Sequence, residues 1–89
     1  MKIHQLKTWP EYFNSIVDGS KKSELRINDR DFSVGDYVVF YEFVPDTQVF
    51  TGKCCGGKIT HVFKDTNEFS FLGDYCIFSF IKLEQHSIF

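Results

Sequence analysis

No apolar run in this chain approaches the roughly 18 residues that a bilayer-spanning helix needs. Its first residues, Met1-Lys2-Ile3-His4-Gln5, lack the apolar stretch of an export signal, so a cytoplasmic protein is expected, with no membrane among its partners. Strong charge of either sign is missing too. Ten Lys and Arg against twelve Asp and Glu leave a net charge of −2, which excludes the broad basic surface that grips a duplex by its phosphates. Local recognition of one nucleotide or of a short single strand stays open. Cysteine is sparse: Cys54, Cys55 and Cys76 are an odd count without metal-type spacing. On a strand, adjacent Cys54 and Cys55 would point to opposite faces. The expectation is free thiols in a reducing compartment, with no metal and no other cofactor. His61 is too isolated to argue otherwise.

Repeats, linkers and low-complexity stretches are also absent, so residues 1–89 read as one domain, with 84–89 as a loose tail. What the chain has in excess is aromatic rings. Eleven Phe, four Tyr and one Trp predict a single modest core built from bulky side chains.

Residues 2–7 read as a short strand that sets Ile3 and Gln5 against His4 and Leu6. Thr8-Trp9-Pro10-Glu11 then reads as a helix opener, with Thr8 capping, Pro10 in the first turn and Glu11 completing a capping box. Trp9, Tyr12, Phe13, Ile16 and Val17 recur at helical spacing as one apolar stripe. Asp18-Gly19 stops the helix, with Gly19 suited to a left-handed cap. Tyr37–Val44 is a strong strand, and Pro45-Asp46-Thr47 turns the chain. A return arm begins near Gln48, is interrupted at Gly52 and Gly56-Gly57 by a bulge or bend, and resumes with alternation over Lys58–Phe63. Tyr75–Leu83 is the last strand, with its Phe residues in the core. One strand, one helix and about five further strands with short turns predict a mainly β fold. The favoured form is a small closed or nearly closed barrel of about five to six strands with the helix after the first; an open α+β sheet is the alternative.

The densest charge lies in Gly19-Ser20-Lys21-Lys22-Ser23-Glu24-Leu25-Arg26 and continues through Asn28-Asp29-Arg30-Asp31. As a strand from Ser23 to Asn28, this segment places Leu25 and Ile27 on one face, read as the core face. Glu24, Arg26 and Asn28 lie on the other. Lys21, at the loop-to-strand junction, leans over that polar row. The plain alternative is a solvated charged face in which Glu24 and Arg26 pair with each other for about 0–1 kcal/mol.

Gly19-x-Lys21-x-x-Glu24-x-Arg26 resembles the signature of the ASCH domains of the PUA-like superfamily. His4-x-Leu6-Lys7, Trp9-Pro10-Glu11-Tyr12-Phe13 and Asn28-Asp29-Arg30-Asp31-Phe32-x-Val34-Gly35-Asp36 extend the resemblance to a small bacterial and phage branch catalogued as DUF3850. It covers nearly the whole chain, most strongly from His4 to Phe43. It implies a β-barrel with a cleft beside the helix and a module that binds RNA or a modified nucleotide, single-stranded rather than duplex. Lys21 and Arg26 would meet a phosphate or a base carbonyl, and Glu24 would accept from an exocyclic amine. Trp9, Tyr12 or Tyr41 would stack on a base; Asn28 lies in the same polar row, and the motif brings His4 near the cleft.

Some small ASCH proteins are amidohydrolases that remove the acetyl group of N4-acetylcytidine with a Lys, a Thr and a Glu. Lys21 matches that lysine, while Glu24 stands where the threonine would be. Ser23 offers a hydroxyl on the opposite face, and Glu42 and Glu68 are the candidates for the later acid. If the chain is an enzyme, Lys21 and Glu24 carry the chemistry. A carboxylate beside Lys21 favours the charged ammonium, however, and so opposes a lysine base. A third class is a protein-interaction adaptor of phage or bacterium, using exposed aromatic residues of the tail such as Phe89.

Overall fold

Strict alternation buries His4, Leu6 and Thr8 and exposes Ile3, Gln5 and Lys7 along the first strand, β1 (Ile3–Thr8). The structure, a computed structural model, describes residues 1–83. The readings placed on 84–89, the loose tail and Phe89 among them, lie outside the described residues. After β1 come one helix, α1 (Pro10–Val17), and four strands: β2 (Ser23–Ile27), β3 (Tyr37–Val44), β4 (Val49–Phe63) and β5 (Tyr75–Leu83).

The helix forms where the apolar spacing predicts, but it starts differently. Trp9, extended at φ −64° and ψ 150°, is the N-cap and makes no side-chain cap bond. Thr8 is instead the last buried residue of β1, and its hydroxyl donates to the Leu6 carbonyl at 3.4 Å. Sheet pairing claims Thr8 before it can cap, so the expected capping box is not formed. Pro10 suits the first turn because it has no N–H to leave unbonded. Only part of the stripe is covered: Phe13 and Ile16 are buried, while Trp9, Tyr12 and Val17 stay exposed. Gly19 at φ +87° ends the helix, as expected of a left-handed cap.

The inner and outer faces of β2 are the reverse of those expected. Leu25 is 58% exposed and Ile27 50%, whereas Glu24 is only 6% exposed. The reason is pairing. Antiparallel β5 sets Glu24 opposite Phe78 and Arg26 opposite Cys76, and residues directly opposite share a face. Phe78 and Cys76 are fully buried, so the charged row is the one that faces inward.

The sheet order is β1-β3-β4-β5-β2, with β1 parallel to β3 and every other pair antiparallel. The five strands curl into a half-barrel whose two edges, β1 and β2, share no ladder. Leu6, Phe13, Ile16, Phe32, Phe40, Phe78 and Phe80 fill its hollow. The return arm is a single strand that runs without a break through Gly56-Gly57. At Gly57 an added Cβ would sit 3.0 Å from the Phe80 ring, so glycine here permits close ring packing rather than breaking the strand. The bulge expected at Gly52 does form: Thr51, Gly52 (φ +93°) and Lys53 stand opposite Glu42 alone, where the register shifts between Tyr41 and Phe43, and a second bulge falls at Thr60, between Ile59 and His61. The second bulge breaks the expected alternation, so Val62 rather than His61 joins Ile59 toward the core. Among the described residues no helix is long and apolar enough to cross a membrane.

Candidate functional site

Where β1 and β2 fail to pair, side chains bridge the gap. Arg26 Nη2 donates to the Lys7 carbonyl on β1 at 2.8 Å, and its Nε donates to Glu24 Oε2 at 3.0 Å. Lys21 Nζ approaches the other oxygen, Glu24 Oε1, at 3.1 Å and donates to the Ser23 carbonyl at 2.7 Å. Glu24 is thus an inward carboxylate with one cation on each oxygen. Burying a carboxyl group this deeply is costly unless it is paired and hydrogen-bonded. Lys21 and Arg26 meet that requirement while keeping about a quarter of their side chains in solvent.

The opposite wall comes from the start of α1. Trp9 and Tyr12 stack with ring centroids 6.3 Å apart and planes 29° from parallel, and the Lys21 ammonium lies 5.7 Å from the Tyr12 centroid. Ring wall and charged row enclose an open cleft of about 510 Å³, lined also by Lys7, Thr8 and Leu25. Pro10 and the buried Phe13 and Ile16 anchor α1, so the two rings are left over for the cleft. Of the eight residues singled out from sequence, the structure gathers Lys21, Glu24, Arg26, Trp9 and Tyr12 here.

The other three lie elsewhere. His4 is buried under the sheet, with Nε2 2.8 Å from Asp36 Oδ2 and its ring 4.6 Å from that of Phe32. Asn28 Oδ1 accepts from Phe32 N at 3.1 Å and so ties down the loop after β2. Tyr41, beside Lys7 in the sheet register, lines a separate groove that meets the cleft at Lys7 and Arg26. Glu42 is buried opposite the β4 bulge, where its Oε1 accepts from Thr51 Oγ1 at 2.7 Å. Glu68 is exposed in the β4–β5 loop. Neither acid lines the cleft. Sequence reasoning missed Lys7 and Thr8 as lining residues; their signal is position, since the end of β1 runs directly into the Trp9 wall.

Chemically, the cleft offers a flat aromatic surface, two fixed cations and an acceptor. Each Glu24 oxygen has a second lone pair beyond the one its cation occupies. The guanidinium likewise carries N–H groups beyond the two bound to Glu24 and Lys7. None of the cysteines lines the cleft, although Cys76 stands opposite Arg26 in the β2–β5 ladder. Burial pushes the Cys55 thiol up to about 11 and raises that of Cys76 as well, which leaves both unreactive near neutrality.

Comparison with known proteins places residues 3–80 within the family described as "Domain of unknown function (DUF3850)". A relative in Escherichia phage P2, described as "Uncharacterized 12.9 kDa protein in GpA 3'region", is 36% identical over 76 residues. That match covers 85% of this chain but only 65% of the phage protein.

Proposed function

The chain belongs to the DUF3850 family, and from that premise we propose that it is an ASCH-type, PUA-like module that binds RNA or a modified nucleotide. The observation that carries this reading is the cleft in which the stacked Trp9–Tyr12 pair faces the Lys21–Glu24–Arg26 row. A base seats on the exposed rings, since every base presents a π face and stacking contributes about 1–3 kcal/mol per base. Arg26 and Lys21 meet its phosphate or carbonyl, the guanidinium with a planar fork. Glu24 accepts from an exocyclic amine. Three free thiols, two of them buried, support a place in a reducing compartment such as the cytoplasm.

Lys21→Ala and Arg26→Ala are each expected to weaken nucleotide or RNA binding, measured by calorimetry, while circular dichroism reports an intact fold. Wild-type affinity in both variants would remove the site.

One observation favours a second reading. Thr8, Lys21 and Glu24 line the same cleft, which assembles the residue types of an N4-acylcytidine amidohydrolase from an unexpected strand. Against it, the Thr8 side chain is almost fully buried and Lys21 is engaged by Glu24 and Ser23. Incubation with N4-acetylcytidine decides the matter: release of acetate, lost in Thr8→Val, supports hydrolysis, and an intact protein that releases none excludes it.

A further inference from the structure

The groove on the far side of Arg26 carries a feature that the cleft alone does not explain. It holds about 600 Å³ and is lined by Lys7, Arg26, Arg30, Tyr41 and Phe50, with no carboxylate in its wall. Three cations and no acid is an unusual local balance in a chain of net charge −2. Arg26 is committed to Glu24, and Arg30 lies 3.9 Å from Asp29. Lys7 makes no ion pair among the described residues; its ammonium sits 4.7 Å from the Phe43 centroid and 5.9 Å from that of Phe50.

The rings are placed by the fold. Parallel pairing sets Lys7 beside Tyr41, and the bulge at Glu42 brings Phe43 opposite Phe50. Phe50 packs edge-on to Tyr41 at 6.4 Å and against Phe43 at 4.9 Å, yet it remains 52% exposed. An exposed ring so braced has already lost most of its freedom, which makes it a low-cost stacking surface. Cleft and groove share Lys7 and Arg26. The order along the surface is therefore aromatic pair, cations, aromatic pair.

We infer that these two hollows form one track for single-stranded nucleic acid, with one base on Trp9–Tyr12, a following base on Tyr41–Phe50 and the linking phosphate at Lys7 and Arg26. The inference rests on the proposed nucleotide-binding reading and extends it from a nucleotide to a strand. Alternation of stacking surfaces and cations is what a single strand requires, because its bases are free to splay while its backbone stays charged.

Titration of the full chain with cytidine monophosphate, then with a dinucleotide, a tetranucleotide and an octanucleotide in ribo and deoxyribo forms, tests this. Affinity should rise steeply from mononucleotide to tetranucleotide and then level. Phe50→Ala should lower oligonucleotide affinity roughly 5- to 150-fold, the range set by loss of one stacked base, and leave mononucleotide affinity unchanged. Phe50→Leu, which keeps apolar bulk without a π face, should reproduce most of that loss, and Phe50→Trp should restore binding. The ribo and deoxyribo arms identify which strand is preferred. Equal affinity for mononucleotide and octanucleotide, or an unaffected Phe50→Ala, would overturn the track and leave the single-nucleotide site standing. Failure of every probe, mononucleotide included, would overturn both.

Discussion

Of the carboxylates buried among the described residues, Asp36 and Glu24 do opposite work. Asp36 lies beneath the start of β3, where its oxygens accept from His4, from Lys2 N at 3.0 Å and from Ser33 N at 3.1 Å. Burial alone would push its carboxyl up, but these hydrogen bonds outweigh that and hold it below the ordinary value. Its partners are two backbone amides and a buried ring, and none of those residues lines the cleft. Glu24 is held by the ends of two long side chains at the edge of an open cleft. Its partners keep free donors and a solvent-facing side. A buried charge closed on every side staples a fold; one gripped by half-exposed cations presents a surface to a ligand.

That contrast is breakable. The largest expected effect is on stability. Asp36→Ala should cost about 3 kcal/mol, because the Lys2 and Ser33 amides and the His4 ring lose their acceptor, and lower Tm by on the order of 15 °C in a thermal melt. Affinity of the fraction still folded should not change. Arg26→Ala should reverse the pattern, with stability lowered by about 1 kcal/mol and nucleotide affinity by about 2 kcal/mol, or roughly 30-fold. Glu24→Gln sharpens it further: phosphate affinity should hold or rise while preference for an amine-bearing base falls by about 1–2 kcal/mol, read from competition between cytidine and uridine monophosphates.

A smaller effect is on the pH dependence of stability. Because the folded Asp36 carboxyl is held below its unfolded value of 3.8, its contribution is complete above that value and is lost as pH falls through the folded one. Asp36→Asn should therefore flatten the acid limb of a stability–pH curve. Smallest is the thiol count. Cys55 and Cys76 are buried and Cys54 half-buried, so a disulfide reagent should modify one thiol of the native protein quickly and the others only on unfolding.

The elements that alternation or helical spacing defines were readable from the chain: β1, α1, β3 and β5 stand where the apolar pattern puts them. Orientation was not. Period-two patterning shows that Glu24 and Arg26 share a face, but the inward side depends on which β5 residues lie opposite, a long-range fact. Gly56-Gly57 suggested a break because glycine often makes one, whereas its use here, room for the Phe80 ring, depends on a neighbour far along the chain. The site was readable to a similar depth. Lys21, Glu24 and Arg26 are close in sequence and so nearly bound to meet, and the resemblance to ASCH domains drew attention to them. Trp9 and Tyr12 were legible both as part of an apolar helical stripe and, through the resemblance, as stacking rings, and the packing of α1 is what leaves them exposed. Lys7 and Thr8 enter the cleft because β1 ends at its rim, which no local pattern encodes. His4 looked close to the cleft in sequence, but it shares its face with Thr8 and lies near the opposite end of β1, where it meets Asp36.

The most direct test of the cleft is a nitrogen–proton NMR titration of the full chain with cytidine monophosphate. The Trp9 indole N–H and the Arg26 Nε–H should shift together and saturate along one binding curve, with the amides around His4 and Asp36 unmoved. Saturation with both signals stationary, or with the shifts gathered around His4 and Asp36 instead, would contradict a nucleotide held between the aromatic wall and the charged row.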